Sequence, residues 1–263
     1  MIGITGYNGV LGKIICNKLA QNNVGFSGYN GDVRDCAHLQ RWINTEKITS
    51  IIFLASKVAV KEVDANKDIA YDVNVNGIIQ TIKAINQTQW PVYFFYASSS
   101  HVYASSLNPI TEDDAIDPQN TYGLTKRLAE LLLLDFAKTS KNIKLCIGRI
   151  FSFYHITQLP PYLYPTMMDR FKNEDLSLPF KLYGASSERD FLPAEKICDI
   201  IIKLVEEEID GVYNIASGKS TKVIDFVAAI APQKLIFDVD EHEHKTTLVA
   251  NISKLKKALP NGL

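Results

Sequence analysis

Three glycines spaced three apart, Gly6, Gly9 and Gly12, follow directly on the short apolar run Ile2-Gly-Ile-Thr5 and open a helical pattern. A strand that ends in such a turn and feeds a helix admits few folds. The first glycine allows the tight turn, the second lets a ligand approach the backbone, and the third permits close packing of helix on strand. Further runs at Ser50 to Leu54, Val92 to Ala97 and Lys144 to Ile150 are apolar at consecutive positions, the pattern of strands covered on both faces. Between them, residues 66–88 place Ile69, Val73, Ile78, Ile82 and Ile85 on a helical face, and residues 122–138 do the same with Leu124, Leu128, Leu131, Leu132 and Phe136.

Strands alternating with helices predict an α/β fold, a doubly wound parallel sheet of the Rossmann type. Its second strand is abbreviated, because only Val24 to Gly28 is available before Asn30-Gly31 forces a turn. After Arg149 the texture changes. Pro160-Pro161, Pro165 and Pro179 interrupt it, and helices near 194–208 and 220–230 bracket a short strand at Val212 to Ile215. The expected organisation is a dinucleotide-binding domain over residues 1–150 and a small α/β substrate lobe over residues 151–263, with segments that return to the first domain.

Composition excludes several classes of function. The 263 residues carry 28 Lys+Arg against 29 Asp+Glu, a net charge of −1, so the electrostatic footprint of nucleic-acid binding is missing. No segment approaches the roughly 18 apolar residues of a membrane span, and Met1 is followed by neither a basic leader nor a long apolar run; a soluble, cytoplasmic protein is expected. Cys16, Cys36, Cys146 and Cys198 are far apart and form no CxxC pair, which predicts free thiols. Asp240-Glu-His242-Glu-His244 reads as an acidic loop, and no metal is expected.

The glycine turn, placed between strand and helix, predicts a bound dinucleotide whose pyrophosphate meets the helix N-terminus. NAD and NADP stay equally open. The end of the second strand offers Gly28, Tyr29 or Asn30, neither acidic nor basic, while Asp32 follows Gly31 and falls nearer the adenine. Arg34 could meet a phosphate or simply be solvated. Tyr122 and Lys126 lie four residues apart, one helical turn on the same face. A phenol is a poor base at neutral pH unless a cation stabilises its anion, so the pair suits proton exchange with a substrate oxygen. Ser98-Ser99-Ser100-His101 follows the strand Val92 to Ala97 and so falls at the carboxyl edge of the sheet, where open α/β folds bind ligands. A hydroxyl there can bond the reacting oxygen. His101 could face the substrate or pack against a loop.

The order Gly6xxGly9xxGly12, Gly31-Asp32, Leu54-Ala55-Ser56, Asn74-Val-Asn-Gly77, Ser98-Ser99 with Val102-Tyr103, and Tyr122xxxLys126 resembles the extended short-chain dehydrogenase/reductases. More narrowly it resembles their nucleotide-sugar epimerase/dehydratase branch. Pro109-Ile-Thr-Glu112, Pro118-Gln-Asn-Thr-Tyr122, Arg189-Asp-Phe-Leu, Gly211-Val-Tyr-Asn-Ile-Ala-Ser-Gly218 and Asn251-Ile-Ser-Lys-Leu extend the resemblance over nearly the whole chain. The resemblance implies that Tyr122 is the acid/base, Lys126 its partner and a cofactor ligand, and Ser99 the catalytic hydroxyl. It places Gly6, Asn8, Gly9, Val10, Leu11 and Gly12 around the pyrophosphate and Asp32 and Val33 near the adenine. Leu54, Ala55, Ser56 and Asn74 would line the cofactor cleft. Ser100, His101 and Arg189 would contact a nucleotide-diphosphate sugar.

Departures narrow the expected chemistry. Dehydratases of this branch carry Asp-Glu directly after the active-site hydroxyl residue, whereas here Ser100 and His101 follow it, which disfavours 4,6-dehydration. Ser152 and His155 stand where relatives often have Asn and Gly, and Ala104 replaces a common Gly. The short second strand resembles 4-ketosugar reductases more than 4-epimerases. Reduction of a 4-ketosugar with NAD or NADP is therefore the expected activity, 4-epimerisation the near rival, and a non-catalytic dinucleotide-binding regulator the reading from another class. Leu131 to Leu134 is apolar all round its helix, which together with the resemblance implies a homodimer.

Overall fold

A computed structural model describes residues 1–240 and 242–260. The first half alternates strand and helix: β1 (Ile2–Thr5), α1 (Val10–Gln21), β2 (Phe26–Gly28), α2 (Cys36–Thr45), β3 (Ser50–Phe53), α3 (Val60–Ala65), α4 (Lys67–Tyr71), α5 (Gly77–Asn86), β4 (Val92–Ser99), α6 (Thr121–Thr139) and β5 (Ile143–Ile150). There follow β6 (Phe153–Tyr154), α7 (Leu163–Asn173), β7 (Phe180–Lys181), β8 (Glu188–Arg189), β9 (Leu192–Pro193), α8 (Ala194–Glu206), β10 (Gly211–Ile215), β11 (Thr221–Lys222), α9 (Val223–Ile230), β12 (Phe237–Asp238), β13 (Thr247–Leu248) and α10 (Ser253–Ala258). Six strands form one parallel sheet in the order β10-β5-β4-β3-β1-β2, the doubly wound arrangement that the sequence pattern predicts.

Alternation along β4 shows how both faces are covered. Tyr93, Phe95 and Ala97 join the cluster that includes Ile15 and Leu19 of α1 and Ile197 and Ile201 of α8. Val92, Phe94 and Tyr96 join the opposite cluster, with Leu39 of α2, Ile78 of α5 and Leu133 of α6. A third, smaller cluster brings Met167, Phe180, Leu182, Val223 and Val227 together beneath the short strands that follow β5.

The structure revises three readings. The strand at 212–215 and the helix before it do not belong to the small lobe: β10 pairs in register with β5, and α8 packs on α1, so residues 194–215 complete the large sheet. The helix expected over 66–88 is two helices joined by a π turn, Asp72–Asn76. A π turn inserts one extra residue, and here it carries the buried Asn74 side chain across to the 56–57 loop and α6. The second strand is shorter still than the sequence suggests, pairing with β1 only from Phe26 to Gly28.

Candidate active site

The direction of winding reverses between β1 and β3, which are neighbours in the sheet although β2 lies between them in the chain. Loops leaving their carboxyl ends diverge and open a crevice. The loop after β1 is the glycine turn. Gly6 has φ +68°, a left-handed conformation that favours glycine, and its carbonyl accepts from Gly9 N–H at 3.0 Å. A Cβ on Gly12 would run into that same carbonyl, so helix and strand approach only because a side chain is missing. Above Gly9, by contrast, the nearest atom to a built Cβ is Gly6 O at 3.3 Å. No side chain caps α1, so Val10, Leu11 and Gly12 present first-turn amides next to Asn8. An uncapped helix start beside a residue with no side chain suits an anion, and the residues present fit a dinucleotide pyrophosphate.

Opposite this turn, Thr5 Oγ1 accepts from the amides of Leu54 and Ala55, both at 3.2 Å, and sets the wall formed by Leu54, Ala55 and Ser56. Asn74 stands behind that wall. Its Oδ1 accepts from Ser56 Oγ and Lys57 N, and its Nδ2 donates to Lys57 O and Thr125 Oγ1, so the amide is saturated by protein. Asn74 therefore braces the cleft wall from behind. Beyond the end of β2, Val33 is buried against Gly77, and the pKa of the Asp32 carboxylate is held down at about 2 by its hydrogen bonds from Arg34. Arg34 also pairs with Asp72, so the cation that could have met a phosphate is engaged by two carboxylates.

Two strand positions away, about 10 Å at the usual sheet spacing, lies the end of β4. Ser99 closes it, and Ser100–Val102 form a single 3-10 turn capped by Ser99 Oγ, which accepts from His101 N–H at 3.2 Å. Asn120 caps α6 by accepting from Gly123 N–H at 2.8 Å, and the helix then presents Tyr122 and Lys126 one turn apart. Enclosure of the Tyr122 ring holds the phenol's pKa above its ordinary value, against the pull of the nearby Ser99 hydroxyl, although part of the residue still reaches solvent. Lys126 is buried. It donates to Ala97 O at 2.8 Å, and its Nζ lies 5.8 Å from the centre of the Tyr122 ring, so it touches the phenol's surroundings without bonding its oxygen. Burial pushes this ammonium down to about 7, against the pull of the Glu130 carboxylate.

His101 packs edge-on against Tyr122, with ring centres 5.6 Å apart, and burial followed by the nearby Arg189 charge lowers its pKa. Arg189, on β8, is anchored by donating to the carbonyls of Glu188 and Thr246 and to Thr246 Oγ1. Ser100 is buried in the turn. Ser99, His101, Tyr122, Lys126 and Arg189 thus come together from three separate segments.

Sequence reasoning missed the polar network beneath them. Glu130, fully buried one turn beyond Lys126, accepts from Ser98 Oγ at 2.5 Å, from Arg149 Nε and Nη2 at 3.0 Å each, and from Arg127 at 3.0 Å. Arg149 also donates to Tyr103 Oη, which donates to Asn214 Oδ1. The available signal was a lone carboxylate four residues after Lys126 on the same helical face. Another missed residue is the buried Asp190. Its carboxylate accepts from Ser217 N–H and Oγ–H and from Gly218 N–H, joining β8 to the loop after β10. Among the described residues, no group of three His, Cys, Asp or Glu could hold a metal; Glu241 of the acidic loop lies outside them. No described helix is long and apolar enough to cross a membrane.

The model of the family described as GDP-mannose 4,6 dehydratase matches residues 4–259. The chain belongs to this family. Within it the chain is 29% identical to a UDP-glucose 4-epimerase of Mycoplasma genitalium, over 89% of this chain and 76% of the relative. It is 25% identical to the dTDP-4-dehydro-6-deoxyglucose reductase of Escherichia coli, over 84% of this chain and 71% of that one. In three dimensions it is similar to RMD from Pseudomonas aeruginosa complexed with NADPH, with a TM-score of 0.86 at 21% identity, covering 98% of this chain and 90% of the other. The family's members thus include nucleotide-sugar epimerases and 4-ketosugar reductases, and the chain is an extended short-chain dehydrogenase/reductase.

Proposed function

We propose that the protein is an NAD(P)-dependent oxidoreductase that acts on a nucleotide-diphosphate sugar and reduces a 4-keto group. The observation that carries this reading is the meeting of Ser99 and Tyr122 at the carboxyl edge of β4, with the buried Lys126 ammonium 5.8 Å from the centre of the Tyr122 ring. A bound nicotinamide supplies the hydride to the sugar carbon. Gly6, Asn8, Gly9, Val10, Leu11 and Gly12 cradle the pyrophosphate, Asp32 and Val33 border the adenine, and Leu54, Ala55 and Ser56 form the cleft wall. Ser99 donates a hydrogen bond to the carbonyl oxygen and holds it beside Tyr122. The phenol, protonated at neutral pH because its surroundings disfavour the anion, gives its proton to that oxygen. Lys126 offsets the negative charge left on Tyr122. Ser100, His101 and Arg189 face the sugar nucleotide. The small lobe built on β7, α7 and α9 covers it, and exposed Leu124 and Leu131 on α6 support a homodimer.

A second reading, 4-epimerisation, is favoured by the coverage of the Mycoplasma genitalium relative. It uses the same groups, first as base and then as acid, without net consumption of coenzyme. The regulator reading is weakened because Ser99, Tyr122 and Lys126 meet in one place.

Following coenzyme absorbance across a panel of nucleotide sugars and their 4-keto forms tests the reading. Stoichiometric NAD(P)H oxidation is expected; conversion of sugar without it would assign the epimerase. Tyr122→Phe should lower kcat by about a thousandfold or more and leave coenzyme affinity within a few-fold of wild type. Retained turnover in that variant would remove Tyr122 from its role.

A further inference from the structure

Asn120 does more than cap a helix. Its Oδ1 accepts from Gly123 N–H at 2.8 Å, which fixes the orientation of the amide and turns its NH2 away from α6. That NH2 lies 2.9 Å from His101 Nδ1. A ring nitrogen that accepts from an amide carries no proton, so the neutral imidazole bears its hydrogen on Nε2. The backbone of the same residue is clamped as well, since His101 O packs where a Cβ on residue 123 would stand, and only glycine fits. The groups that face the ring disfavour a second proton. Tyr122 of α6 meets it edge-on as a neutral phenol, and the Arg189 guanidinium of β8 is positive.

We propose that Asn120 is a positioning residue that locks His101 as the Nε2–H tautomer, so that the imidazole offers one uncharged donor to an acceptor oxygen of the bound sugar. The inference rests on the nucleotide-sugar reading above and adds a determinant of specificity to it. A sugar oxygen can accept from Nε2–H. An ammonium group at the same place can only donate, and it would leave both groups unpaired.

Two substitutions separate this role from simple capping. Aspartate and serine both cap helices about as well as asparagine. Asn120→Asp puts a carboxylate against Nδ1 and should draw a proton to it; Asn120→Ser keeps a capping oxygen but cannot reach the ring. Nitrogen-15 NMR, with the His101 signals identified by their loss in His101→Asn, reads the tautomer and its titration. Wild type should show a proton on Nε2 alone down to a titration midpoint below the ordinary histidine value. Asn120→Asp should raise the titration midpoint of His101 by about one pH unit or more. In both variants KM for the nucleotide sugar should rise about tenfold, with kcat within about threefold and NADH affinity, read by fluorescence, unchanged. A proton on Nδ1 in wild type, an unmoved midpoint in Asn120→Asp, or an unmoved KM in both variants overturns the proposal. Absence of turnover on every nucleotide sugar, with the tautomer as described, would instead overturn the proposed function and with it the sugar as the acceptor.

Discussion

Two carboxylate–guanidinium networks in this molecule use the same chemistry in opposite surroundings. Glu130 and Arg149 meet in the interior, with side-chain exposures of 0% and 4%, and each satisfies further partners from β4, the 103–112 segment and α6. Asp32, Arg34 and Asp72 meet beyond the end of β2 with exposures of 48%, 39% and 45%. Water competes for every bond of the second group, whereas the Glu130–Arg149 pair at the centre of the first is shielded from it. An exposed network of this kind contributes little to stability, whereas a buried pair that loses one partner leaves an uncompensated charge in the interior. The buried network fixes where β4, β5 and α6 sit, and so where Ser99, Tyr122 and Lys126 point. The exposed one can rearrange when a ligand arrives.

The largest effect expected from this contrast is on folding. Glu130→Ala should destabilise the protein by about 3–5 kcal/mol in chemical denaturation, because Arg149, Ser98 and Arg127 lose their shared acceptor. A change below about 1 kcal/mol would mean that water enters the site and the network is not an interior one. Lys126→Met sharpens the comparison from the other side. The buried ammonium has a pKa near 7 in the folded protein and 10.5 as its ordinary value, so the folded state binds fewer protons between those pH values. Stability rises with pH through that window, and the penalty of burying the charge is fully present below it. The variant should therefore melt about 5 °C higher than wild type at pH 6, with the gap closing as pH rises towards 10, while turnover is lost. A gap that widened with pH would contradict the assigned environment. Arg34→Ala should give the smallest effect, shifting the melting temperature by less than about 2 °C in the coenzyme-free protein. A large drop there would show that the exposed network holds the fold as firmly as the buried one.

What could be read in advance follows the range of each interaction. The glycine turn, the helix carrying Tyr122 and Lys126, and the Ser98-Ser99-Ser100 turn after β4 are each contained in one element, and spacing alone exposes them. The bracing contacts of Asn74 depend on a π turn and on partners at Ser56, Lys57 and Thr125 that no local pattern predicts. The strand Gly211–Ile215 was grouped with its neighbours in sequence, whereas its partner is β5, more than sixty residues earlier. The Asn120–His101 bond and the Glu130–Arg149 pair each span 19 residues and two elements.

By itself the amino-acid sequence determined the parallel α/β architecture and singled out the candidate reacting groups, because apolar periodicity and residue spacing act over a few residues. Only the tertiary structure decided which charges are buried together, which way the Asn120 amide points, and that the last strand of the sheet comes from beyond the small lobe. Those outcomes depend on bringing distant segments into contact, and the free energy of each contact depends on how much water the final packing leaves around it.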